Sequence, residues 1–393
     1  MSIIINDVRI LDGNGGIIEK GHIEFDETGI LNISEEPLTG KTVIEGTGKT
    51  LIPGLIDTHV HLGMLGLDNN ISDAESGAIT VVQLQTALKY GITTVRNLGT
   101  QNNNDIHVKK LIESGYFTAP RVLASGIGIS ITGGHGWQIN QECDTPEESL
   151  RAARKQIRSN ADVIKMFATG GMGTKGSIPN APQLTEEQMR VVCEEAERVS
   201  LITAAHCTGL EGAQNAIRAG VRSIEHAQLD EKTTKMMRDN GTFYCPTIIT
   251  RYNILHTTDP RFQWIRKKAK PEDLEKKEKA IRLCKQYGVK ICASTDSTGE
   301  GLTTIGRSLL DEIELYVRYG LNNMEALETA TKNAAELCKI DSQTGTLEVG
   351  KCGDMILLDE NPLDNISALR TTRMVFRNGN IVYKNDSDSV KYP

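Results

Sequence analysis

Apolar and polar residues follow two different rhythms along this chain. At both ends they alternate in short runs: "SIIINDVRILDG", "GHIEFDETGILNI" and "KTVIEG" near the start, "GTLEVGKCGDMILLD" and "TTRMVFRNGNIVYK" near the finish. A period of two, with Gly and Asp at the breaks, predicts β-strands joined by turns. "RNGN" between two apolar runs is a hairpin signal. Between the ends, short apolar runs precede longer helical ones, as in "GLIDTHVHL" then "AITVVQLQTALKYG", or "DVIKMF" then "TEEQMRVVCEEAERVS". Eight such units can be traced, ending with "KICASTD" and "IGRSLLDEIELYVRYG". "TPEE" from Thr145 and "TEEQ" from Thr185 have the form of capping boxes.

Eight strand-then-helix units predict a (β/α)₈ TIM barrel. A doubly wound open sheet is the alternative, but the chain has no glycine-rich nucleotide turn near its start. The β-rich ends can meet beside the barrel in a small β-sandwich domain formed by both chain termini. The expected boundaries are 1–54 with 338–393 for that domain and 55–337 for the barrel.

Composition narrows the function. A formal net charge of −7 argues against nucleic acid or an anionic membrane as partner. No apolar run reaches membrane-spanning length, and the N-terminus lacks the basic and apolar regions of a secretory signal. The eight cysteines form no CxxC pair, and free thiols in a cytoplasmic protein are expected.

Barrel enzymes carry their chemistry at the C-terminal ends of the strands. The first strand ends in His59 and His61, the fifth in His206, the sixth in His226 and the eighth in Asp296. His59 and His61, two apart, face the same side of a strand. Singly, each of these residues has an ordinary reading: a surface pair, a satisfied core histidine, a turn-capping aspartate. Together, four of the eight histidines fall at equivalent strand ends, and imidazole with carboxylate suits zinc and similar divalent ions. Lys165 lies within the apolar strand "DVIKMF". A buried lysine loses its proton readily. Its amine can then take up CO₂ as a carbamate, an anion able to bridge two cations, whereas the bland reading is a side chain snorkelling off the strand end.

With these residues in place, the chain resembles the amidohydrolase superfamily. The matching segments, in order, are "LIPGLIDTHVHL", "DVIKMFATGG", "AAHCTG", "SIEHAQ" and "ASTD", with "GITTVRNLG", "ITGGHG" and "GTLEVGKCGDMILLDENPL" on the flanks. Within it, the lysine of "IKMFATGG" is similar to the prolidase and metal-dependent carboxypeptidase group. The imidazolonepropionase-like group shares the overall pattern but uses one metal and lacks this lysine. The resemblance implies two divalent metal ions, usually Zn²⁺. His59, His61 and Asp296 would hold one and His206 and His226 the other, with carboxylated Lys165 and a hydroxide bridging them. The chain departs from the group at Asn97, at Asn333-Ala334 and at "APRV", which touches no metal position.

The expected chemistry is hydrolysis of amide bonds in dipeptides or N-acyl amino acids, with Asp296 as general base and then acid. His135, and after it Tyr244, are the candidate donors to the oxyanion; a loop histidine and a core aromatic are their bland readings. Arg251, after the seventh strand, is the candidate for a substrate carboxylate. Hydrolysis or deamination of a cyclic amide or amidine is the alternative, followed by a non-catalytic scaffold. A small-molecule substrate and a homo-oligomer are expected.

Overall fold

The computed structural model describes residues 2–66, 71–299 and 301–385. Its centre is parallel β-structure. Leu55–Val60, Ile92–Asn97 and Arg121–Leu123 form one parallel sheet. Val163–Phe167, Ile202–His206, Ser223–Glu225 and Phe243–Cys245 follow one another in a second, extended at one edge by the two-residue strands Ile129–Ser130 and Gln141–Glu142. These strands are buried on both faces, as parallel strands between helices must be. The sheets meet where the Asp162 amide donates to the Ala124 carbonyl at 2.7 Å.

The eighth predicted strand is an extended segment without a regular ladder. Its backbone still reaches both neighbours: Cys292 N donates to Tyr244 O at 2.9 Å, and Thr58 N donates to Ala293 O at the same distance. Regularity fails where a side chain takes over the backbone's partner. Asp57 accepts from both the amide and the hydroxyl of Thr295, at 3.2 and 2.7 Å, and Asp296 turns to φ +56°.

Helices follow the strands, including Asp73–Lys89, Pro146–Arg158, Glu186–Arg198 and Arg307–Arg318. Both expected capping boxes are present, at Thr145 and Thr185, and two more start at Ser72 and Asn322. A second element also differs from the sequence reading. The seventh strand stops at Cys245, and Ile248–His256 is helical, so Arg251 lies on a helix. Pro246 has no amide to continue the ladder. The buried carboxylate of Glu312 accepts from the amides of Ile248 and Ile249, at 2.8 and 2.5 Å, and so caps the new helix.

Both chain ends join in one eight-stranded sheet. Met355–Leu358 pairs antiparallel with Thr50–Pro53 on one side and Thr372–Arg377 on the other. The "RNGN" hairpin forms, with Asn378 and Gly379 both at positive φ. A side chain at Gly379 would strike the Asp26 carbonyl, so this turn needs glycine for space as well as conformation. Three strands separate Phe25 from Phe376 along the sheet, yet their rings meet edge to face at 5.0 Å. The sheet therefore curls over a shared apolar interior that includes Ile5, Ile23, Leu51 and Leu357.

Candidate active site

The strand ends bring the predicted polar residues together. His59 and His61 leave the Leu55–Val60 strand on the same side, and the Nε2 atoms of both lie 3.3 Å from Asp296 Oδ1. One ligand atom from each of the three can be chosen so that all lie within 4.8 Å of one another. The His226 ring centroid is 4.8 Å from that of His59 and 4.7 Å from that of His206. Lys165 is buried, with its Nζ 3.5 Å from His59 Nε2. It forms no ion pair among the described residues.

Each ring is oriented by a hydrogen bond on one nitrogen. His59 Nδ1 meets Glu225 Oε2 at 2.8 Å, and His61 Nδ1 meets the Gly99 carbonyl at 3.0 Å. His206 Nε2 meets the Gly170 carbonyl at 3.1 Å, and His226 Nδ1 meets Thr247 Oγ1 at 2.6 Å. This is the arrangement expected around metal-ligating histidines, where an outer partner fixes the tautomer and leaves the other nitrogen for the ion. His226 at φ +70° and Asp296 at φ +56° leave their strands in the left-handed region, a conformation that non-glycine residues adopt at a cost and that recurs at active sites.

The electrostatics suit cations. Burial pushes His59 down to about 4, with Lys165 adding to the effect. Burial together with neighbouring imidazoles holds His206 and His226 well below the ordinary histidine value. All three rings are thus neutral and able to donate a lone pair. Burial lowers Lys165 to about 8, so about a tenth of its amine is uncharged at pH 7, far more than for an ordinary lysine, and that is the form that reacts with CO₂. Burial raises the Asp296 carboxyl, but the His61 hydrogen bond and the charges nearby outweigh it and keep it below its ordinary value. The donor set therefore fits divalent metal ions of the zinc class.

A cavity of about 200 Å³ opens over this cluster. His135 lines it; its Nδ1 is 2.8 Å from Thr174 Oγ1 and its ring centroid 4.5 Å from that of His206. Arg251 lines it too, beside the Met172 sulfur and 3.5 Å from Asp273. Tyr244 is not brought to the cavity. It is fully buried in the core and its hydroxyl donates to the Ala227 carbonyl at 2.6 Å, because its strand ends one residue later and the side chain faces the surrounding helices. Trp137 is half exposed and stands off the lining.

Sequence reasoning missed a buried triad beneath the cluster. The Arg96 guanidinium donates to Glu225 Oε1 at 2.9 Å, to Ser223 Oγ at 2.9 Å and to the Thr58 carbonyl at 2.5 Å. Burial raises the Glu225 carboxyl, but Arg96 and His59 prevail and hold it far below the ordinary glutamate range. The signal was available: Arg96 is a charge inside an apolar strand, like Lys165, and Glu225 alternates with Ser223 in "SIE".

Imidazoles and a carboxylate gathered over the ends of parallel strands form a cluster that could hold a metal ion. The chain belongs to the amidohydrolase family, whose pattern matches residues 50–382; the family generally uses divalent metal ions, and the protein is a hydrolase of carbon–nitrogen amide bonds. Among its relatives is ochratoxinase of Aspergillus niger, 30% identical over 414 aligned positions that cover 93% of this chain and 83% of the relative. Imidazolonepropionase of Mesorhizobium japonicum is 25% identical and covers 89% of each chain. The crystal structure of a Xaa-Pro dipeptidase with bound methionine in the active site superposes with a TM-score of 0.88 at 27% identity, covering 98% of this chain and 100% of the other. Among the described residues no helix is long and apolar enough to cross a membrane.

Proposed function

We propose that the protein is a binuclear metal-dependent hydrolase of dipeptides or N-acyl amino acids. The observation that carries this reading is Lys165, buried 3.5 Å from His59 Nε2 and, among the described residues, with no carboxylate at ion-pair distance. A buried ammonium in that position is costly and would repel cations; as a carbamate, the same side chain would be an anion able to serve as a metal ligand. His59, His61 and Asp296 would hold one ion and His206 and His226 the second. The likeness to a Xaa-Pro dipeptidase and to ochratoxinase supports an amide substrate.

When bound, such ions polarise a carbonyl and lower the pKa of water. The chain's own residues do the rest. Asp296, ionised at neutral pH, takes a proton from the attacking water and returns it to the departing nitrogen. The Thr174 hydroxyl accepts from the Gly136 amide at 2.9 Å and donates to His135 Nδ1. That assignment puts the ring proton on Nε2, where His135 can donate to the carbonyl oxygen. Tyr244, with its hydroxyl committed to Ala227, serves in packing. At the level of architecture, we read the two parallel sheets as one closed (β/α)₈ barrel spanning 55–337. The curled sheet of both ends, 1–54 and 338–393, is read as a β-sandwich; the cross-strand bonds of Cys292 and Thr58 and the Phe25–Phe376 contact support these assignments.

The test combines metal analysis with catalysis. Protein purified without chelator is expected to hold close to two divalent ions per chain; a stoichiometry near one rejects the bridged site. Asp296→Asn should fold but lose kcat on a responsive dipeptide by about 10²–10⁴. A variant within a few-fold of the parent removes Asp296 from the proton transfers.

A further inference from the structure

The sixth and seventh strands, Ser223–Glu225 and Phe243–Cys245, pair in parallel. At one end of the ladder the Phe243 amide donates to the Arg222 carbonyl at 2.9 Å; at the other the His226 amide donates to the Cys245 carbonyl at the same distance. Donors on one strand of a parallel pair recur every second residue. Counting on from Phe243 and Arg222, the amide of residue 247 is due to meet the His226 carbonyl. That bond does not form. Thr247 turns to φ +47°, and its amide donates to Ser294 Oγ at 3.3 Å. Pro246, between them, has no amide. A backbone carbonyl left in the interior without a donor is costly, and here there are two, on His226 and Pro246.

A lysine supplies both donors. Helix Glu272–Tyr287 carries Lys276, Lys277, Lys279 and Lys285. Three of them are exposed, but Lys277 is buried and lines the cavity over the metal-type cluster. Its ammonium donates to the carbonyls of His226 and Pro246, the latter at 2.6 Å. Among the described residues it forms no ion pair, so these two carbonyls are what it holds. With the ladder ended in this way, Thr247 can bring its hydroxyl to His226 Nδ1, at 2.6 Å. His226 itself sits at φ +70°, and a residue stays in that region only where its surroundings over-determine it.

We infer that Lys277 is a positioning residue for the second metal position, acting through His226. The ammonium fixes the His226 carbonyl and so its left-handed backbone. Thr247 accepts the ring proton on Nδ1, and Nε2 is left to face the ion. The inference rests on the proposed function, in which His226 is a ligand of the second ion, and deepens it by naming what holds that ligand. The clamp is specific to one histidine. His206 takes its orienting bond from the Gly170 carbonyl, His59 from Glu225 and His61 from the Gly99 carbonyl.

The ring is read first in metal-free protein. With ¹⁵N-labelled histidine, the parent is expected to show His226 as a single Nδ1–H tautomer. In Lys277→Met and in Thr247→Val the ring should exchange between tautomers, and Thr247→Ser, which keeps the hydroxyl, should restore the parent spectrum. Zn²⁺ is then titrated against a competing chelator. The second ion should bind about tenfold or more weakly in Lys277→Met and Thr247→Val, with the first unchanged. A lysine that serves only in packing would lower the melting temperature and leave the tautomer and both affinities as in the parent; that result overturns the assignment, as does equal weakening of both ions. If Lys277→Met does not fold, Lys277→Gln carries the test: its amide donates from a shorter chain, and the same losses are expected. A parent protein that takes up a single ion refutes the binuclear reading and leaves the clamp to be decided by the metal-free spectra alone.

Discussion

Lys165 and Arg96 are both cations buried in parallel strands, and the structure treats them in opposite ways. Arg96 is neutralised by Glu225, which in turn orients His59. Replacing Glu225 with Gln leaves the guanidinium buried and unpaired, and breaking a buried pair in this way costs about 3–5 kcal/mol. Glu225→Gln should therefore lower the denaturation midpoint substantially, and the double variant with Arg96→Met should lose less than the two single losses combined. Additive losses would mean that the two residues act independently. Lys165 forms no such ion pair among the described residues, and the expected remedy is chemical. Protein equilibrated with ¹³C-bicarbonate should show a carbamate resonance that disappears in Lys165→Ala, together with activity. A spectrum identical in the two proteins argues for a free amine.

At the scale of elements, the loop after the Lys165 strand shows how local spacing serves the site. The glycines of "ATGG" are required by crowding. A side chain at Gly170 would collide with the Ile178 carbonyl, and one at Gly171 with the His135 ring. Gly171→Ala should displace His135 without unfolding the protein. The expected outcome is a kcat/KM reduced at least tenfold with a melting temperature within a few degrees of the parent. A large drop in melting temperature with activity retained per folded molecule would show that the loop, and not His135, needs the glycine. The helix Ile248–His256 is the element the sequence pattern concealed. "TFYCPTII" scans as one apolar strand, and the carboxylate that starts the helix comes from Glu312, more than sixty residues further on.

For the whole molecule, the chain ends matter because they meet. Met355–Leu358 sits between Thr50–Pro53 and Thr372–Arg377 in the shared sheet. Deleting residues 339–393 removes that inner strand and uncovers the apolar interior around Ile23 and Leu51. The truncated chain is expected to lose the cooperative thermal transition of the full protein. An unchanged transition would show that the barrel segment folds alone and that the terminal sheet is an accessory.

What the sequence determined by itself was whatever depends on local spacing. The two-residue period placed strands at both ends, and the capping boxes at Thr145 and Thr185 marked helix starts. The HxH pair set two imidazoles on one side of a strand, because side-chain direction along a strand is fixed by the backbone. Lys165 inside its strand and the polar strand ends at His206, His226 and Asp296 were legible because charge within apolar runs is rare. Only the tertiary structure decided which groups meet across long separations. Glu225 reaches His59 and Arg96 over more than a hundred residues, and Glu312 caps a helix on another element. Tyr244 turned into the core, while Lys277 left a charged helix face to line the cavity. Burial and partner choice are properties of the packed whole: the cost of an unpaired charge arises only once water has been excluded around it, and no window of sequence contains that exclusion.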